Sequence, residues 1–229
     1  MAGTLYAIPT PLGSTAAGAL PASALNTVRT VRYFVVENAK SARAFLKDVG
    51  MPHPLQELQI AVLDSDVAKH VRALKADQSI GLLSEAGCPA IADPGAALVA
   101  AAQREGIRVV PLVGPSSIVL ALMASGLEGQ RFAFCGYLPR EPQERKRRIK
   151  QLESRSQRER ETQIFIETPY RNDVLFGSLL EVCAPRTLLC VASDLTLPTE
   201  DIETRDVAQW RHKLHAIGKR PAVFLLLAT

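Results

Sequence analysis

Short apolar runs at residues 4–8, 33–37, 80–84 and 107–112 alternate with longer stretches able to hold helices, at 22–31, 39–49, 65–75 and 96–104. Short apolar runs suit buried parallel strands, and the alternation predicts βαβ units and a mainly parallel sheet. A weaker strand is expected at 58–63. After Val113-Gly114-Pro115-Ser116-Ser117 the pattern restarts. A small-residue helix is expected at 118–125, strands at 132–136, 162–167, 187–192 and 222–228, and helices at 144–154, 172–183 and 207–217. The Gly114-Pro115 break predicts a junction between two α/β domains, over 1–113 and 114–229, the first with a mainly parallel sheet and the second with a mixed one. With no low-complexity linker, the halves are expected to pack closely around a cleft.

The segment Ser84-Glu85-Ala86-Gly87-Cys88-Pro89-Ala90-Ile91-Ala92-Asp93-Pro94-Gly95 joins an apolar strand to an alanine-rich helix. Loops leaving the carboxyl ends of parallel strands are where open α/β sheets bind ligands. A structural reading stands beside this one: Gly87-Cys88-Pro89 and Asp93-Pro94-Gly95 as two plain turns, with Asp93 capping the helix that follows.

Composition narrows the class. No apolar run approaches the about 18 residues of a membrane span, and the first residues lack the basic region and apolar core of a signal peptide, so cytoplasmic residence is expected. Cys88, Cys135, Cys183 and Cys190 are scattered, which suggests neither a zinc site nor a disulfide framework. His212 and His215 could share a helix face, but no third ligand lies near, so no metal is expected. The net charge of +4 is localised: between Arg140 and Glu161 nine basic residues face five glutamates, so that segment alone carries the excess. Such a segment is either a footprint for nucleic acid or a solvated helix with internal Glu/Arg pairing. Its composition also suits a segment that orders only on binding.

Four more strand-end turns join the loop at Ser84: Thr4-Leu5-Tyr6-Ala7-Ile8-Pro9-Thr10-Pro11-Leu12-Gly13, Pro111-Leu112-Val113-Gly114-Pro115-Ser116-Ser117, Phe134-Cys135-Gly136-Tyr137-Leu138-Pro139-Arg140 and Ile166-Glu167-Thr168-Pro169-Tyr170-Arg171. In this order and spacing they resemble the tetrapyrrole methylase superfamily of S-adenosylmethionine-dependent methyltransferases. The nearest likeness is to the bacterial family that 2′-O-methylates a cytidine ribose in small-subunit ribosomal RNA. The resemblance implies two α/β domains of the tetrapyrrole methylase type, S-adenosylmethionine held in the cleft, and a homodimer. It places the cofactor at Pro9, Ser84, Glu85, Gly87, Cys88, Ile91, Asp93, Ser116 and Ser117, with Gly136 and Glu167 from the second domain. Small residues let backbone polar groups reach such a ligand, and Ile91 can face its adenine.

The sequence departs from that family where polar groups meet substrate. Glu37-Asn38-Ala39-Lys40 replaces Glu-Asp-Thr-Arg, Gly13-Ser14-Thr15 replaces Gly-Asn-Leu, Asp194-Leu195-Thr196-Leu197 replaces Glu-Leu-Thr-Lys, and Cys88 stands where threonine is usual. If the acceptor is a ribose hydroxyl, a general base can assist removal of its proton, and Glu37, Glu85 and Asp93 are the catalytic candidates, with Glu85 equally able to hold the cofactor or a substrate hydroxyl. Arg140, Arg145, Lys146, Arg147, Arg148 and Arg171 are the candidates for holding RNA, with Arg171 equally suited to pairing with a carboxylate. The Cys88 thiol, with no histidine partner nearby in sequence, reads as a small neutral group. Two other readings remain open: a methylase of a tetrapyrrole or other small molecule, and a catalytically silent relative that still binds S-adenosylmethionine.

Overall fold

The computed structural model describes residues 2–213 and 215–229 and divides into two compact units, one ending at Ser116 and one starting at Ser117. In the first, β1 (Leu5–Ile8), β2 (Tyr33–Val36), β3 (Gln59–Val62), β4 (Ile80–Leu83) and β5 (Val109–Pro111) form a wholly parallel sheet in the order β3-β2-β4-β1-β5. The connecting helices are α1 (Ala16–Ala19), α2 (Ala22–Thr30), α3 (Ala39–Val49), α4 (Ala68–Lys75) and α5 (Ala96–Arg104). Alternate strand residues serve opposite faces. Ile8, Phe34, Val36 and Leu83 pack with residues of α2 and α3, whereas Leu5, Val35, Ile80 and Leu82 pack with Leu74 of α4 and Leu98 of α5. With both faces covered, β2 and β4 are buried throughout, which explains their continuous apolar runs.

The second unit contains α6 (Ser117–Ser125), β6 (Phe132–Tyr137), α7 (Pro142–Glu159), β7 (Thr162–Ile166), α8 (Asn172–Val182), β8 (Leu188–Ser193), β9 (Asp201–Asp206), α9 (Val207–Arg211) and β10 (Ala222–Leu227). Its sheet runs β6-β7-β10-β8-β9, with only the β6/β7 pair parallel. Its core includes Phe165 stacked on Phe224 and Trp210 set edge-on to Phe176, with the buried indole N–H donating to the Leu189 carbonyl. Tyr137 pairs with Ile166, Ile166 with Val223, and Val223 with Ala192. The carboxyl ends of β6, β7 and β8 and the start of β10 therefore share one edge.

Several elements differ from their sequence expectation. Strand β9 reads Asp-Ile-Glu-Thr-Arg-Asp, too polar to signal a strand, and is held as an edge strand by β8 alone. Helix α9 stops at Arg211, not at 217, so His212 and His215 share no helix; His215 packs against Phe176 and Trp210. The basic segment is no binding-induced tract. It forms the longest helix, α7, started by Glu141 accepting from the Glu144 N–H at 2.7 Å and by Pro142 in the first turn, and anchored by buried Ile149 and Leu152.

Candidate functional site

Because every strand of the first sheet runs the same way, the loops after β1, β2, β4 and β5 leave from one edge, and the order 3-2-4-1-5 sets β4 between β2 and β1. The loop after β4 is thereby flanked by both neighbours. Thr10 and Gly87 exchange two backbone hydrogen bonds of 2.9 and 3.0 Å, and Ser84 Oγ donates to the Gly87 carbonyl at 3.2 Å. On the other side the Glu85 N–H donates to Glu37 Oε2 at 3.1 Å, and Glu85 Oε1 accepts from Ser41 Oγ at 3.3 Å. Cys88 Sγ donates to the Pro115 carbonyl at 3.4 Å, and burial pushes its thiol pKa up. It serves as a hydroxyl-like donor in a pinned turn, in keeping with a neutral group.

The backbone of this loop is strained. Ala90 and Ala92 both sit in the left-handed region, at φ +66° and +64°, beside Gly87 at +77° and Gly95 at +130°. Left-handed alanines cost about 1–2 kcal/mol each and persist where surroundings over-determine them, a habit of ligand-binding segments. Asp93 is no helix cap: α5 starts after Gly95 and has no side-chain cap. Its carboxyl instead meets Ser84, with Glu37 and Glu85 close by, and burial together with those two negative charges raises its pKa to about 6. Among the described residues, none of these three carboxylates enters an ion pair. The edge is therefore an uncompensated negative site, suited to a cationic ligand group.

The remaining first-unit candidates lie on the loops after β1, β4 and β5. Pro9 is buried at the end of β1, Ile91 is half exposed in the loop, and Ser116 ends the unit. Asn38 takes over capping at the altered 37–40 segment, accepting from the Lys40 N–H at 2.8 Å to start α3. Thr10, within the strand-end turn after β1, and Ser41, whose sequence context carried no such signal, belong to the hydrogen-bonded frame of the site.

In the second unit Ser117 starts α6, and Gly136 and Glu167 lie at the shared strand edge. Gly136, at φ +66°, sits in a bulge where β6 spends three steps against two of β7. Glu167 is buried, accepts from the Thr168 N–H at 2.8 Å and pairs with Arg171 at 3.1 Å. Arg171 is thus held inward, close to the Pro139 carbonyl. Arg145 must leave the group of RNA-facing cations: it is 4% exposed and donates to Ser178 Oγ and the Arg140 carbonyl. Lys146 pairs with Glu181 at 2.6 Å, whereas Arg140 and Arg147 are exposed and Arg148 half-buried. Among the described residues no cluster of metal-ligating side chains occurs, and no helix is long and apolar enough to cross a membrane.

Residues 4–210 match the family described as Tetrapyrrole (Corrin/Porphyrin) Methylases. The chain is similar to proteins named Ribosomal RNA small subunit methyltransferase I. That of Xylella fastidiosa is 36% identical over 85% of this chain and 69% of its own length. That of Pseudomonas aeruginosa is 30% identical over 91% and 72%, and that of Bacillus subtilis 32% over 87% and 66%. The chain thus spans about two-thirds of the length of these relatives. Among solved structures, the methyltransferase CobJ matches with a TM-score of 0.66 at 17% identity, over 100% of this chain and 95% of that one. Diphthine synthase matches with 0.66 at 16%, over 98% and 89%. At such identities the likeness is one of fold.

Proposed function

The chain belongs to the tetrapyrrole (corrin/porphyrin) methylase family, a family of methyltransferases, and we propose that it transfers a methyl group from S-adenosylmethionine to a ribose 2′-hydroxyl of small-subunit ribosomal RNA. The observation that carries this reading is the set of carboxylates Glu37, Glu85 and Asp93, which have no ion-pair partner among the described residues, around a strained, small-residue loop at the carboxyl edge of a parallel sheet. S-adenosylmethionine bound there would supply an electrophilic methyl on a cationic sulfonium, whose charge the three carboxylates complement. Glu37 accepts the Glu85 N–H and so fixes the loop, while Pro9, Ser84, Gly87 and Cys88 shape its wall. Asp93, poised near neutrality by burial, is the proposed base. Its role would be to take the proton of the acceptor hydroxyl as that oxygen gains the methyl group.

The acceptor is supported by the relatives' names and by the exposed cations at the start of α7. Arg147→Ala should flatten the salt dependence of RNA binding by somewhat under one unit of the log–log slope, the share of about one phosphate contact. Arg145→Ala should leave that slope unchanged and instead cost about 1–2 kcal/mol of stability in denaturant unfolding, because Ser178 and the Arg140 carbonyl lose a buried donor. The decisive assay is transfer of label from methyl-labelled S-adenosylmethionine to small ribosomal subunits stripped of modification. Label in a ribose of the RNA is expected; unlabelled RNA with the cofactor still bound would overturn this acceptor. A homodimer acting in the cytoplasm completes the proposal, and sedimentation equilibrium tests the pairing.

A further inference from the structure

The shared edge of the second sheet, where Gly136 and Glu167 stand as cofactor candidates, also carries two exposed aromatic rings to which the methyl-transfer reading gives no role. Tyr170 is 78% exposed and Tyr137 59% exposed. The bulge at Gly136 sets the orientation of Tyr137 at the end of β6. Tyr170 sits in the single turn Pro169–Arg171, which is fixed at both ends: Glu167 pairs with Arg171, and Asn172 Nδ2 donates to the carbonyls of Gly218 and Arg220 at 3.1 and 2.7 Å. Lys219, on that second turn, places its ammonium 5.1 Å from the Tyr170 ring centre. The ring is thus braced in an open position by a cation. Tyr137 also lines a cavity of about 260 Å³ shared with Leu138, Arg140, Thr168 and the paired Glu167 and Arg171, below the size of a drug-sized pocket but open to one planar group.

We propose, resting on the RNA reading above, that Tyr137 and Tyr170 form a stacking platform for unpaired bases of the RNA, with Arg140 and Lys219 holding the adjoining phosphates. Aromatic faces set among cations are how proteins grip single-stranded nucleic acid, since every base offers a π-face. The loop 137–140 also borders a second cavity, lined by Pro139 and, from α7, by Glu144, Arg147, Arg148 and Gln151, so two cations stand there against one carboxylate. Tyrosine and arginine are enriched at protein–protein interfaces too, but this run of cations favours a polyanion.

The test is fluorescence anisotropy of the full chain with a labelled unpaired RNA oligomer, beside the same oligomer bearing abasic positions. Tyr170→Ala and Tyr137→Ala should each weaken binding about tenfold or more without changing the salt slope, Tyr170→Phe should keep it, and abasic RNA should lose the difference. Lys219→Ala and Arg140→Ala should flatten the slope. Equal affinity of wild type and the double alanine variant for the intact oligomer would overturn the platform, as would a change of oligomeric state in that variant with RNA affinity intact. Methyl transfer is read separately. Label transferred by wild type with tyrosine-independent binding defeats only the platform; tyrosine-dependent binding without label defeats only the methylation reading.

Discussion

Asp93→Asn is expected to slow methyl transfer about 10²–10⁴-fold and to remove the acidic limb of the pH–rate curve, which in the unaltered chain should fall as pH drops through about 6. The same substitution should make the protein more stable at pH 8. A carboxyl whose folded pKa is raised from 3.8 to about 6 contributes stability that is fully present below pH 3.8 and is lost as pH rises through about 6. Above that pH the ionised group, half-buried beside Glu37 and Glu85, is a burden that asparagine does not carry. Scaled down for solvent screening, the gain should be roughly 1 kcal/mol, seen as a higher Tm at pH 8 and none near pH 3. A stabilised variant with undiminished turnover would reduce Asp93 to a strained carboxylate and remove it as the base. A destabilised one would show that its bond to Ser84 is what holds the loop.

Why Asp93 reads as a helix cap in the sequence is instructive. Asp-Pro-Gly before an alanine-rich run fits a capped helix start, and nothing local reveals that the chain turns through two left-handed alanines first. The strands of the first unit were legible because both faces are buried, which leaves uninterrupted apolar runs such as Tyr33–Val36 and Ile80–Leu83. Strand β9 was not, since an edge strand with charged side chains lacks that signature. The loops of the site were visible as Gly/Pro punctuation at strand ends. The meeting of Glu37 with Glu85 was not, because it depends on β4 inserting between β2 and β1, a pairing that no local pattern encodes. Arg145 shows the same limit: within a run of four cations, helical phase turns this one inward onto Ser178 while Arg147 faces out.

Gly114→Ala is expected to damage the same site from its far side. A methyl built at Gly114 lies 2.4 Å from Pro9 Cβ, 2.7 Å from Pro9 Cγ and 2.8 Å from Leu20 Cδ2, so either the proline at the end of β1 or the β5 loop must move. Proline cannot rotate aside, and Pro9 is buried. The strain passes along the chain, since the next residue, Thr10, is locked to Gly87 by two hydrogen bonds, and Gly87 anchors the strained loop. Overpacking of this kind costs about 1–3 kcal/mol, and a shift of about 1 Å in a positioning loop can lower turnover about 10²-fold. Calorimetric titration with S-adenosylmethionine should show weakened binding in parallel with the lost activity. Gly129→Ala, where an added Cβ meets nothing within 4 Å, should leave both unchanged. Loss of stability with cofactor affinity intact would make Gly114 a packing position alone and would take Pro9 out of the cofactor wall; loss of both ties the ends of β1 and β5 to the site that Asp93 serves.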